Sequence, residues 1–249
     1  MLVYALPLTT GAQPLAMLTP PLAVLGGGTL SWDGALAIGG LAVAGQGSSL
    51  WLADPRRHRV FRVRDPLDAP MVDVVLGQTS LAGQECNQGR GPGQPSRESL
   101  CHPGSVVLDP KGNVWVSDHA LEVEGNHRLL EWDGRLFRGH RDSPRFSVPA
   151  SRVFGTNGSF DAPSCQDPLC GPFAPAFSAH GHMVVGLNGY IGSRFPLFYG
   201  DPLANNRPDG ALNDFHSMAY AATFDEDDNL YVADLNRDRV FLYFRPFRR

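Results

Sequence analysis

The sequence predicts an all-β protein made of repeated four-stranded antiparallel units, and three observations predict it. An apolar strand pattern closed by Asp and followed by a turn and Arg recurs as SLWLADPRRHRVFRV (49–63), as NVWVSDHALEVEGNHRLL with a longer loop (113–130), and as NLYVADLNRDRVFLY (229–243). The Asp of each copy falls at Asp54, Asp118 and Asp234, separations of 64 and 116 residues, the second close to two repeats. Gly (28) and Pro (21) are spread along the chain and punctuate short apolar runs, which favours many strands joined by turns over helices. Self-similarity at such a period sets the architecture before any single residue is read for chemistry.

Each unit reads as strand, turn, strand, turn, strand. In the second unit these are SVVLD (105–109), the turn PKGN, VWVSD (114–118) and RLLEW (128–132). A short fourth strand follows in several units: AVLGG (23–27), DVVLGQ (73–78) and SRVFGT (151–156). Four antiparallel strands make one blade of a β-propeller, and blades must stack around an axis to bury their faces. The middle of the longer gap holds HMVVGLNGYIGSRFPLFYGDPL (182–203), which keeps two apolar runs and Arg194 but lacks the Asp, and is read as a degenerate fourth unit. The repeat cores are therefore 40–78, 104–156, 181–215 and 217–246 within one propeller domain spanning 1–249. Residues 1–28 supply strands of an incomplete or ring-closing blade. LVYALP at the start and RVFLYF at the end both read as third strands. Either AVLGG completes the last blade and closes a four-bladed ring, which would protect the edge strands, or the chain is part of a larger propeller.

DPKGNVWVSD…NHRLL and DEDDNLYVADLNRDRVFLY resemble the NHL-repeat family. Its unit has an apolar strand ending in Asp, a Gly-Asn turn, an aliphatic–aromatic strand closed by Asp, and an Asn-x-Arg-Val start to the third strand. The first unit departs from it with GQGSS in the turn, and the third matches by spacing alone. The resemblance implies a β-propeller, often six-bladed, that frequently serves as a recognition surface. Similar propellers include gluconolactonase-like hydrolases and amidoglycolate lyases with a metal in the central channel.

The formal net charge is -4, and only 18% of residues are charged, so nothing global favours nucleic acid. The basic runs Arg56-Arg57-His58-Arg59 and 245–249 read as solvated turns and a tail. No apolar run approaches the ~18 residues of a membrane helix. The apolar N-terminal stretch is broken by Pro7, Pro14, Pro20 and Pro21 and lacks a positive start, so it is not read as a signal peptide. Cys86, Cys101, Cys165 and Cys170 form no CxxC pair, and both pairs lie in polar, Gly/Pro-rich loops. Two local disulfides, Cys86–Cys101 and Cys165–Cys170, are the preferred reading and imply an oxidising, secreted or extracytoplasmic setting. Four unpaired thiols in a cytosolic protein are the alternative, favoured by the missing signal peptide.

The recurring pairs Asp54/Arg59, Asp118/Arg128 and Asp234/Arg239 bracket the loop between second and third strands and read as structural staples. One site needs different groups in different places, so identical residues in every repeat are poor catalysts. The acidic run 225–229, with Asp225 and Asp227, occupies a hairpin turn and is a weak Ca²⁺ candidate. His180 and His182 share one face of an extended segment and are weak Zn²⁺ candidates; His102 and His119 lie near strand ends. No cofactor is expected otherwise, and no nucleophile motif is present. Loops 79–103 and 155–180 are far longer than the usual 2–6 residues, and each carries a cysteine pair. They are expected to form a recognition face for a protein, peptide or glycan, with no enzymatic activity. A metal-dependent hydrolase or lyase with a channel site is the alternative.

Overall fold

The computed structural model describes residues 2–3, 10, 13, 16–32, 39–44, 48–119, 125–139, 142–162, 165, 168–188, 195–212 and 218–247. Among these, the regular structure is β-strand with a few short 3-10 turns. Strands β1 (Leu2–Val3) and β2 (Ala16–Met17) pair with each other, and β3 (Leu22–Val24) pairs antiparallel with β4 (Thr29–Leu30).

The first blade runs β5 (Gly40–Ala44), β6 (Ser49–Asp54), β7 (Arg59–Arg64), β8 (Met71–Leu76). The second is β9 (Ser105–Leu108), β10 (Val114–Asp118), β11 (Arg128–Trp132), with β13 (Arg152–Phe154) after the short β12 (Arg145–Phe146). The third is β14 (Pro172–Phe177), β15 (Met183–Leu187), β16 (Leu197–Tyr199), β17 (Gly210–Ala211), built on the degenerate repeat. β14 corrects two expectations: the third unit starts at 172 and not 181, and the stretch 155–180 is not one loop, since only 155–171 connects the second and third blades and 178–182 is the hairpin turn between β14 and β15. The fourth has three strands, β18 (Ala219–Phe224), β19 (Leu230–Asp234) and β20 (Arg239–Tyr243). This is an all-β propeller architecture with four-stranded antiparallel blades. Arg194 of the third repeat lies outside the described residues.

The N-terminal strand corrects one expectation. AVLGG does not complete the last blade: β3 runs parallel to β8, Ala23 opposite Met71 and Val24 opposite Val72. The two-residue β12 also joins β8 in parallel, at Val74 and Val75. Both cover the outer edge of the first blade, where unpaired backbone groups would otherwise invite another chain.

The cores lie between blades and follow the period of two. Along β10, Val114 and Val116 point to the first blade and meet Trp51, Val60 and Leu76, while Trp115 points the other way and meets Leu129, Phe154, Met183 and Val185. Along β15, Met183 and Val185 face the second blade, and Val184 faces Leu230 and Val232 of the fourth. The far side of the fourth blade carries exposed Val240 and Leu242.

Glycine sets the closest approach between blades. A Cβ on Gly40 would stand 2.7 Å from the Ser105 Cα of the next blade. One on Gly186 would collide with the Ala219 carbonyl oxygen of the fourth. Both obstacles are backbone, so neither can turn aside. Gly40→Ala and Gly186→Ala should each cost at least 1–3 kcal/mol, roughly the usual penalty of overpacking. Gly40 and Gly186 do not hold a positive φ, so their cost is the contact, whereas Gly112→Ala, with nothing within 4 Å but φ +81, measures backbone strain without a contact. Thermal melts in which Gly186→Ala matches wild type would contradict this packing.

A loop face clamped by recurring arginines

Asp and Arg of each repeat meet because the hairpin register makes them its last pair: Asp54 opposite Arg59, Asp118 opposite Arg128, Asp234 opposite Arg239. The Arg Nε donates to Asp Oδ2 at 3.1, 2.9 and 3.1 Å respectively. The first two pairs are fully buried, whereas the Arg239 side chain is 45% exposed. Their other partners explain the difference. Arg59 also donates to the carbonyls of Leu81, at 3.3 Å, and Ser31. Arg128 donates to the carbonyls of Ser96 (3.1 Å), Ser99 (2.9 Å) and Phe160 (2.6 Å). Arg239 instead lies 4.3 Å over the Phe241 ring.

One guanidinium, that of Arg128, thus holds both long loops: Ser96 and Ser99 belong to 79–103, and Phe160 belongs to the connection 155–171. Arg97 reinforces the junction, with Nε on the Ala150 carbonyl at 2.5 Å and its guanidinium 5.1 Å over Phe160. Asp118 accepts the Cys101 N–H at 2.7 Å and Asn126 Nδ2 at 2.6 Å. Burial pushes the Asp118 carboxyl up, and Arg128, Asn126 and the Cys101 N–H pull it back. Asn126 and Asn87 exchange side-chain hydrogen bonds of 2.8 and 3.0 Å. Two disulfides complete the face, Cys86–Cys101 and Cys165–Cys170, with Cα separations of 4.6 and 4.8 Å. Disulfides belong to an oxidising environment. Residues 163–164 and 166–167 of the second loop lie outside the described residues.

Histidines gather on this face. The His58 and His102 rings stand 4.4 Å apart, and His119 and His127 4.9 Å apart. Burial, then His102, lowers the His58 pKa to about 4. Burial, then His127 and His102, lowers that of His119 to about 3. Among the described residues, neither ring nitrogen of His119 has a hydrogen-bond partner. Since His119 stays neutral in the folded state but ionises near 6.5 when unfolded, the unfolded state binds the extra proton between about pH 6.5 and 3. Stability is therefore lost as pH falls through that window. At pH 5 the loss from His119 alone is about 2 kcal/mol. The stability difference between wild type and His119→Leu should narrow or reverse by this amount between pH 7 and pH 5. A difference independent of pH would refute the assignment.

The sequence-derived metal candidates have other occupations. His180 Nδ1 pairs with Asp228 Oδ2 at 2.6 Å. His182 Nδ1 bonds Ser178 Oγ at 3.1 Å, and its ring stacks 4.7 Å from Phe247. Asp225 accepts the N–H groups of Asp227 and Asn229, Asn229 Nδ2, and the Tyr231 hydroxyl at 3.1 Å. The Asn229 donors hold its carboxyl below the usual range. Asp227 pairs with Arg245 at 3.3 Å. Asp109 repeats the Asp225 arrangement with Lys111, Asn113 and Trp115. The shared pattern Asp-x-x-x-Asn-x-aromatic was readable in the sequence as a turn staple. Among the described residues, three ligating groups lie within 4.8 Å of one another at His58, Cys101, His102 and at His127, Cys165, Cys170.

At the opposite end, the inner strands enclose a cleft of about 630 Å³, lined by Val43, Leu108, Asp109, Ala176, Phe177 and Phe224 among others. Among the described residues, its one carboxylate is Asp109, which is committed to its own turn.

No family model matches the chain, and no curated protein matches it. Among solved structures, a candidate 6-phosphogluconolactonase from Bacteroides uniformis is similar at 10% identity and TM-score 0.51, over 86% of this chain and 54% of that one. A nidogen/laminin complex is similar at 15% identity and TM-score 0.49, over 95% of this chain and 65% of that one. The chain thus spans about half the length of the first and under two thirds of the second. At 10% identity the first likeness speaks for the fold alone. Among the described residues, no helix is long and apolar enough to cross a membrane.

Proposed function

We propose that this chain is a binding module of NHL type that works outside the reducing cytoplasm, with loops 79–103 and 155–171 forming one recognition face for a protein, peptide or glycan. The observation that carries this reading is the Arg128 guanidinium, which donates to carbonyls of both loops at once. Loops already held in place lose less conformational freedom on binding, so more of the contact energy appears as affinity. A channel hydrolase or lyase would draw acids, amides or imidazoles from several blades to the axis. Among the described residues, the cleft between the inner strands offers the single committed carboxylate of Asp109.

Peptide-display and glycan arrays probed with the oxidised chain test the reading. Ligands selected this way should lose binding on Arg97→Glu or Phe160→Ala, and keep it when Phe177 in the opposite cleft becomes Ala. The reverse pattern would move the site to the cleft. A metal-specific rise in melting temperature after EDTA treatment, with turnover of lactones or esters, would favour the enzyme instead.

A further inference from the structure

The corner where Cys101, His102 and His58 meet has the chemistry of a metal site whose sulfur is presently occupied by Cys86. Cys101 Sγ stands 3.6 Å from His102 Nδ1. Zn–S and Zn–N bonds of ~2.3 and ~2.05 Å at a tetrahedral angle place S and N roughly 3.6 Å apart. His58 comes from another blade and lies with both groups inside 4.8 Å. Its Nδ1 accepts the His102 backbone N–H at 3.0 Å, which holds the ring at this corner; ligation exchanges that bond for the cation, or moves the ring proton and uses Nε2. His58 and His102 both hold left-handed backbone conformations, φ 50 and 58, which are uncommon outside glycine, and their rings stand edge to face 4.4 Å apart. Cys86 is covalently beside Cys101 and is the half-buried member of the pair, open to attack by a thiol, while Cys101 is fully buried.

We propose that the Cys86–Cys101 disulfide masks a Cys₂His₂ site for zinc or a chemically similar divalent transition cation, with Cys86, Cys101, His58 and His102 as ligands. A dithiol reductant opens it. Its thiolate attacks Cys86 Sγ, Cys101 leaves as thiolate, and the second thiol of the reductant resolves the mixed disulfide. The reductant becomes a cyclic disulfide and the protein gains two electrons and two protons. Cation binding then displaces both thiol protons to solvent, and two thiolates neutralise the 2+ charge. Neutral imidazoles suit such a site. Disulfide and cation are then alternative staples for the same loop. Reduction exchanges one for the other instead of releasing residues 86–101. The second disulfide has a related neighbour, since His127 lies within 4.8 Å of Cys165 and Cys170, so the test must remove that pair.

The test uses the full chain carrying Cys165→Ser and Cys170→Ser, reduced with a phosphine that is then removed, and titrated with Co²⁺. One equivalent should bind with the intense visible bands of tetrahedral cobalt and a thiolate-to-cobalt charge-transfer band. Zn²⁺ should displace it. The oxidised chain should show neither band. His58→Ala and His102→Ala should each weaken binding by more than about tenfold and alter the bands. Circular dichroism on the same samples reports whether the reduced chain is folded. Three results would overturn the proposal: equal binding by the oxidised chain, no tetrahedral spectrum in the reduced chain whether folded or not, or bands unchanged in both histidine variants, which would mean that the thiols act alone.

Discussion

Arg128→Met should lower stability by about 3–5 kcal/mol, the cost of breaking a buried ion pair from one side. The change leaves the Asp118 carboxylate buried without its cation, and it strips a donor from the carbonyls of Ser96, Ser99 and Phe160. For a chain of this size the melting temperature should fall on the order of 10 °C. Arg239→Met removes the equivalent residue of the fourth blade, where the guanidinium is half-exposed and lies over Phe241, and should cost less than Arg128→Met. Adding Asp118→Asn to Arg128→Met should recover part of the loss, because the uncompensated charge is gone. Equal melting temperatures for Arg128→Met and Arg239→Met would show that loop clamping contributes nothing.

The second large effect concerns the first disulfide. Replacing Cys86 and Cys101 by Ala opens a loop with a sequence separation of 15 residues, for which chain entropy gives about 3 kcal/mol. The Cys165–Cys170 ring, with a separation of 5, should contribute less, about 2 kcal/mol. The first loss should also couple to the arginine clamp, since the Cys101 N–H donates to Asp118. The combined loss from Cys86→Ala, Cys101→Ala and Arg128→Met should therefore depart from additivity by at least about 0.5 kcal/mol. Denaturant titrations under oxidising conditions measure all three quantities. Strict additivity would mean that disulfide and clamp act independently.

The strands were legible because each obeys one rule. Alternate residues serve opposite inter-blade cores, so Val114, Trp115 and Val116 announce a strand buried on both sides. The Asp/Arg pairing was legible because hairpin register fixes it within one repeat. What the sequence could not show was which of three identical pairs would be buried, because that depends on the loop laid over it. AVLGG reads as a fourth strand, but an apolar run carries no label for the sheet edge it will join, and β8 took it. The short β12 has too few residues for any period. The corner of His58, Cys101 and His102 left only the adjacency of Cys101 and His102 as a signal. His58 is 44 residues from His102, and only the stacking of blades brings it in.

The central claim is that Arg128 makes loops 79–103 and 155–171 one preorganised face. Hydrogen exchange of backbone amides tests it most directly, comparing the oxidised wild type with Arg128→Met. In the wild type, amides such as Asn87, bonded to the Leu100 carbonyl, and Ser159, bonded to the Thr156 carbonyl, should be protected well beyond free-loop rates. Arg128→Met should deprotect both loops together while β9 and β10 stay protected. Fast exchange in the wild-type loops, or deprotection of one loop alone, would contradict the account.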